Sequence, residues 1–151
     1  MSFNKSQDFA KLLKLVNKVF YNNEQRLTSN KKLILKILFN QEDHLSIEDI
    51  VNLSSIHYGK KLDTTSTYRI LSNLENFDIV NSIILNDNKK RYELAYLKKP
   101  HYHLYCQYCN KITEFYNLDI HNKFLSKLKN INFKPTNFNV IINGICETCT
   151  I

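Results

Sequence analysis

The chain has 151 residues, 43% of them hydrophobic, with 21 Lys and Arg against 14 Asp and Glu and a formal charge of +7. That length builds one ordinary core or two small ones, and small cores call for a metal or a second subunit as reinforcement. The cationic excess suits nucleic acid or another anionic partner, although soluble proteins without one also reach it. Phe3 to Phe20 is amphipathic and carries Asp8, Lys11, Lys14 and Lys18, so it reads as neither a signal peptide nor a membrane span. The expectation is a cytoplasmic protein with reduced thiols and no membrane partner.

Residues 1–22 predict a helix, with Phe9, Leu12, Leu13, Val16, Val19 and Phe20 at helical spacing. Asn22 to Glu24 break it, and Thr28 or Ser29 caps a second helix whose apolar face is Leu33, Ile34, Ile37 and Leu38. Asn40 to Leu45 is polar and turn-like. Ser46 caps a third helix that runs to about Ser55, and His57 to Leu62 reads as a loop. Asp63 or Thr64 opens a fourth helix with Ile70, Leu71, Leu74 and Phe77 as its apolar positions. Thr64, Thr65, Ser66, Tyr68 and Arg69 fall largely off that face. Short hydroxyl side chains, a Tyr and an Arg at an exposed helix start suit a major-groove reader, and they equally suit a plain helix cap.

A hairpin follows: Ile79 to Leu85, a turn at Asn86-Asp87-Asn88, and a return strand at Arg91 to Leu94. Helices followed by a basic hairpin describe a winged helix-turn-helix, with Lys89, Lys90 and Arg91 on the wing for phosphate contact. Ala95 to Lys99 is a short linker. Beyond it strands are expected at His103–Tyr108, Lys111–Phe115 and Phe138–Ile142, with a helix over Asp119–Leu128. This small mixed sheet with one helix buries little alone, so a second copy is expected to pair with it. The fold class is therefore α+β: a winged helix-turn-helix domain over residues 1–96, then a small α/β dimerisation domain over 97–151.

Two C-x-x-C pairs, Cys106/Cys109 and Cys146/Cys149, form two knuckles whose thiolates can complete a closed tetrahedral site suited to structural zinc. Free thiols or a redox pair are the alternative. His101 and His103 point to the same side of an extended strand, and Glu114 lies on a strand that can pair beside them. With His44 and Glu93 they supply imidazoles and carboxylates for Fe, Mn, Zn or Co. His57 and His121 lack such neighbours and read as ordinary surface or core-edge residues.

The segments L-T-S-N-K near Leu27, H-L-S-I-E-D from His44, T-S-T-Y-R-I-L from Thr65, Y-E-L from Tyr92, H-Y-H-L-Y-C-Q-Y-C from His101, I-T-E-F from Ile112 and the terminal C-E-T-C resemble the ferric uptake regulator family of bacterial metal-dependent repressors. The resemblance covers about Arg26 to Cys149. It implies a homodimer joined through the C-terminal domain, binding double-stranded operator DNA. It also implies structural Zn(2+) on Cys106, Cys109, Cys146 and Cys149, and a regulatory site on His44, Glu93, His101, His103 and Glu114. Tyr68 and Arg69 match the family's Tyr-Arg on the recognition helix, and the expected DNA contacts are Lys31, Thr64, Thr65, Ser66, Thr67, Tyr68, Arg69, Lys89, Lys90 and Arg91. Lys31 stands where an Arg is usual, Thr65-Ser66-Thr67 where Ala-Thr-Val is usual, and Asp78 where a Gly is common. A third family metal site maps to Pro100, Tyr102, His121 and Phe138, where only His121 is a ligand type, so that site is expected to be absent. Carboxylates as Glu rather than Asp favour a metal sensor over a peroxide sensor, and no cysteine is spare for a zinc sensor. Iron is thus the leading regulatory metal, Fe(2+), with zinc, manganese and peroxide sensing as alternatives. The readings from other classes are a divalent-metal hydrolase and a zinc-stabilised interaction module. Five protein ligands, the missing H-E-x-x-H and the absence of a nominee for acid/base work argue against an enzyme.

Overall fold

The N-terminal unit rests on three capped helices whose apolar stripes face one another. A computed structural model describes residues 5–41, 43–85, 87–95, 99–135 and 138–150. The chain divides into two units, Met1–Leu97 and Lys98–Ile151. The boundary expected between residues 96 and 97 lies outside the described residues, as do positions 1–4 of the first helix, positions 96–98 of the linker, position 42, and Asn86 of the hairpin turn.

In the first unit, α1 (Lys5–Asn22) buries Leu12, Val16 and Phe20, as its spacing predicts. α2 (Ser29–Asn40) starts at Thr28, whose hydroxyl accepts from the Lys31 amide at 3.4 Å. α3 (Ile47–Tyr58) begins with a reciprocal cap between Ser46 and Asp49. It runs three residues past the expected end and takes in His57 and Tyr58, which the sequence reading leaves in a loop. The helix stops where Gly59 turns left-handed (φ 60°) and donates its N–H to the open carbonyls of Ser54 and Ser55. α4 (Thr64–Asn76) is capped by Asp63, which accepts from the Ser66 amide at 2.7 Å. The buried Ser54 hydroxyl accepts from the Leu62 amide at 3.2 Å, fixing the turn between α3 and α4.

The wing is the antiparallel pair β1 (Val80–Ile84) and β2 (Lys90–Leu94), with Val80 opposite Leu94 and Ile84 opposite Lys90. Asp78, entering β1, has φ 53°, a backbone region that glycine occupies most easily. Tyr92 and Leu94 of the wing, Leu71 and Leu74 of α4, and Ile34 and Leu35 of α2 share one core.

In the second unit, β3 (Tyr102–Cys106) is the central strand. It pairs antiparallel with β4 (Ile112–Phe115) and parallel with β5 (Ile141–Gly144). α5 (Leu118–Asn130) is capped by Asn117, which accepts from the Ile120 amide at 2.9 Å. The last strand lies later than the expected Phe138–Ile142. Val140 already accepts a hydrogen bond from the His103 amide at 2.9 Å, while Phe138 places its ring 4.6 Å from His121 and 5.3 Å from Phe124. Phe138 therefore serves the packing of α5 rather than the strand. β3 ends at Cys106 rather than Tyr108, because the chain turns there into the first cysteine knuckle. Among the described residues no helix is long and apolar enough to cross a membrane.

Candidate metal centres and nucleic-acid interface

The second unit brings its four cysteines together. Their sulfurs lie within 4.8 Å of one another, and Cys109 and Cys146 are 3.7 Å apart. A zinc ion with bonds of about 2.3 Å to four thiolates needs sulfurs about 3.8 Å apart, so the set fits a closed tetrahedral centre. All four cysteines are free of disulfides. β3 delivers Cys106, a short turn with Asn110 at φ 60° delivers Cys109, and the 3-10 turn Glu147–Cys149 delivers the second pair. The Cys146 amide donates to Cys106 Sγ at 3.3 Å. Backbone amides, first that of Cys109 and then that of Cys146, hold the Cys106 thiol down to about 6, which favours the thiolate a metal needs.

The imidazole and carboxylate candidates divide between the units, two in the first and three in the second. In the first, Leu45 and Tyr92 exchange two backbone hydrogen bonds, of 3.0 and 2.8 Å. That antiparallel register sets the neighbouring residues His44 and Glu93 opposite each other, with His44 Nε2 3.4 Å from Glu93 Oε2. In the second unit His103 stands opposite Glu114 in the β3–β4 register. His101 Nε2 lies 4.0 Å from Glu114 Oε1, and the His101 and His103 rings are 4.8 Å apart. His101 Nδ1 is 2.9 Å from the Lys99 carbonyl. A carbonyl only accepts, so Nδ1 carries the proton and Nε2 is left as the donor atom for a cation. Tyr116, which no spacing rule singles out, donates its hydroxyl to Glu114 Oε2.

Tyr102, His121 and Phe138, at the positions of the family's third site, sit in an aromatic cluster. The Tyr102 and Phe138 rings are 5.9 Å apart and His121 meets Phe138 edge-on. His121 is buried, which places it in the core of this unit rather than at its surface.

On α4 of the first unit, Thr64, Thr65, Tyr68 and Arg69 are exposed and Ser66 is partly so. Thr67 departs from the expected contact set: it is fully buried and its hydroxyl donates to the Asp63 carbonyl at 2.8 Å, closing the first turn. Lys31 departs as well. Its ammonium lies 4.1 Å from the centre of the Phe20 ring and donates to Gln25 Oε1 and the Arg26 carbonyl, and burial lowers its pKa. On the wing, Lys90 pairs with Glu75 of α4 at 2.8 Å, and Ser82 donates to the other oxygen of Glu75. Arg91 forks onto Asp87 at 2.5 and 2.9 Å, and that guanidinium holds the Asp87 carboxyl at about 2. Lys89 is exposed on the same turn. Glu75 and Asp87 thus fix the wing and partly neutralise two of its cations.

The ferric uptake regulator family matches residues 22–143 of the chain. A ferric uptake regulation protein of Campylobacter jejuni is 38% identical over 85 residues, which is 56% of this chain and 53% of that relative. The chain thus spans about half the length of the first relatives it matches. A ferric uptake regulation protein of Yersinia pestis is 30% identical over 105 residues, 70% of each. The solved Helicobacter pylori ferric uptake regulator, described as having three functional metal binding sites, superposes with a TM-score of 0.78 over 95% of this chain and 94% of its own, at 24% identity, and shows the shared fold. The family match, spanning most of the sequence, and the Yersinia relative together place this chain in the ferric uptake regulator family.

Proposed function

We propose that this protein is a metal-responsive DNA-binding transcriptional repressor whose regulatory metal is iron. The observation that carries the reading is the paired donors: His44 with Glu93 in one unit, and His101 with Glu114 in the other, with His103 opposite Glu114. Neutral imidazoles with carboxylates suit a labile divalent metal, and the four cysteines are gathered in a separate cluster. The relatives from Campylobacter and Yersinia carry the name ferric uptake regulation protein, which supports iron over manganese or zinc on the same donors.

The four cysteines hold a structural zinc, which ties the sheet to the C-terminal turn. The exposed apolar side chains of the second unit, among them Phe124, Ile131, Phe133 and Ile142, support a homodimer through that unit. A divalent cation on the histidine and glutamate donors favours the conformation of the dimer that binds operator DNA. Thr64, Thr65, Ser66, Tyr68 and Arg69 of α4 face the DNA, and Lys89 contacts phosphate from the wing. Such a regulator works inside the cell, where its thiols stay reduced.

Replacement of single ligands tests this reading. His101→Ala and Glu114→Ala are expected to abolish the difference in duplex binding between metal-loaded and chelator-treated protein, with dimer mass unchanged by light scattering. Retention of full metal dependence in both variants would overturn it.

A further inference from the structure

Tyr116 lies just past the end of β4, two residues beyond Glu114, so both side chains leave the same side of that edge strand. The β3–β4 register pairs Tyr102 with Phe115 and His103 with Glu114. Continued by one step, it sets Tyr116 opposite His101. The two rings meet there, with centres 5.3 Å apart and planes tilted by 37°. The Tyr116 hydroxyl donates to Glu114 Oε2, while the other oxygen, Oε1, is the one 4.0 Å from His101 Nε2. Tyr116 therefore touches two of the proposed ligands at once, the carboxylate through its hydroxyl and the imidazole through its ring.

We propose that Tyr116 is a positioning residue of the regulatory metal site, holding Glu114 as a one-oxygen ligand and His101 in its ligating orientation. The inference rests on the reading of His101 and Glu114 as metal ligands given above. Its physical basis is that a carboxylate with one oxygen engaged by a phenol offers the other as a single, directed donor. Likewise, an imidazole held by the Lys99 carbonyl at Nδ1 and by a ring at its side presents Nε2 at a set angle. Hydrogen-bond partners of this kind typically change metal affinity by about 10- to 100-fold. Tyr116 thereby sets how much free metal is needed before the site fills.

The test is a Co(II) titration of the zinc-loaded protein, followed by the visible d–d bands and by competition with a chelator. His101→Ala serves as the control for the site itself. Tyr116→Phe keeps the ring and removes the hydroxyl. It is expected to bind Co(II) about tenfold more weakly, with displaced d–d bands and an unchanged melting temperature before Co(II) is added. Tyr116→Leu, which loses the ring as well, is expected to lose more. Affinity and spectrum unchanged in Tyr116→Phe, or tighter binding, would overturn the positioning role and leave the ligand assignment standing. A wild-type protein that gives no d–d bands, or a spectrum unaltered by His101→Ala, would overturn the ligand assignment and this inference with it.

Discussion

Ser46 and Asp49 cap each other at the start of α3, and the same turn carries Leu45 into its pairing with Tyr92 and so sets His44 beside Glu93. Ser46→Ala removes one side of the cap and should cost about 1 kcal/mol of stability, measured by urea unfolding. Asp78 is a second single-residue constraint. At φ 53° any side chain with a Cβ is disfavoured, and Asp is among those that tolerate it. Asp78→Gly should leave stability nearly unchanged, whereas Asp78→Ala should lower it by about 1 kcal/mol in the same assay. An equal effect of both would mean the backbone there relaxes. Cys106→Ser should empty the thiolate cluster, with zinc content falling from about one ion per chain to near zero and a lower melting temperature, because binding to such a site contributes directly to folding. Unchanged zinc content would remove the structural assignment. Residue-level chemistry was legible where spacing carries it, as in the two C-x-x-C pairs. It was not legible for Lys31, whose partners Gln25, Arg26 and Phe20 lie outside its own helix, nor for Thr67, whose hydroxyl turns back onto Asp63.

The helices and the wing were readable because two independent signals coincide in them. Apolar residues recur at helical spacing, and Thr28, Ser46 and Asp63 stand one residue before the helices begin. Ends were less readable. α3 continues through the polar His57 and Tyr58 because nothing stops it before Gly59. The last strand begins later than expected because Phe138 packs with Tyr102, His121 and Phe124, a long-range demand that a run of β-formers does not reveal. The chain has only two glycines, and Asn88, Asn110 and Asn132 occupy left-handed turns with φ of 56°, 60° and 56°. For the elements proposed to face DNA the cation contacts separate into two kinds. Lys89 is exposed, whereas the Lys31 ammonium is committed within its own unit. Lys89→Ala should therefore weaken binding across sequences and reduce the salt slope by about 1, measured by anisotropy over a range of KCl, while Lys31→Ala should leave the slope intact and lower stability instead. A reduced slope for Lys31→Ala would place its ammonium on phosphate.

Across the whole chain, the proposed roles of the thiolate cluster and the imidazole–carboxylate pairs divide the chemistry between permanence and response. Four thiolates close a site with no open position, whereas imidazoles and carboxylates hold a divalent ion more loosely and let its occupancy follow its concentration. That division was visible in the sequence as residue types. Glu114 beside His103 was expected from neighbouring strands and the register bears it out, whereas His44 beside Glu93 came only from the pairing of Leu45 with Tyr92. Metal on His44, Glu93, His101, His103 and Glu114 is proposed to turn on DNA binding. The most direct test is anisotropy of a labelled pool of upstream duplexes, titrated with zinc-loaded protein under anaerobic Fe(II) and in a mild chelator that spares the thiolate-bound zinc. Binding should be at least about tenfold tighter with Fe(II), a coupling of about 1.4 kcal/mol or more. Equal binding in the two conditions would contradict it.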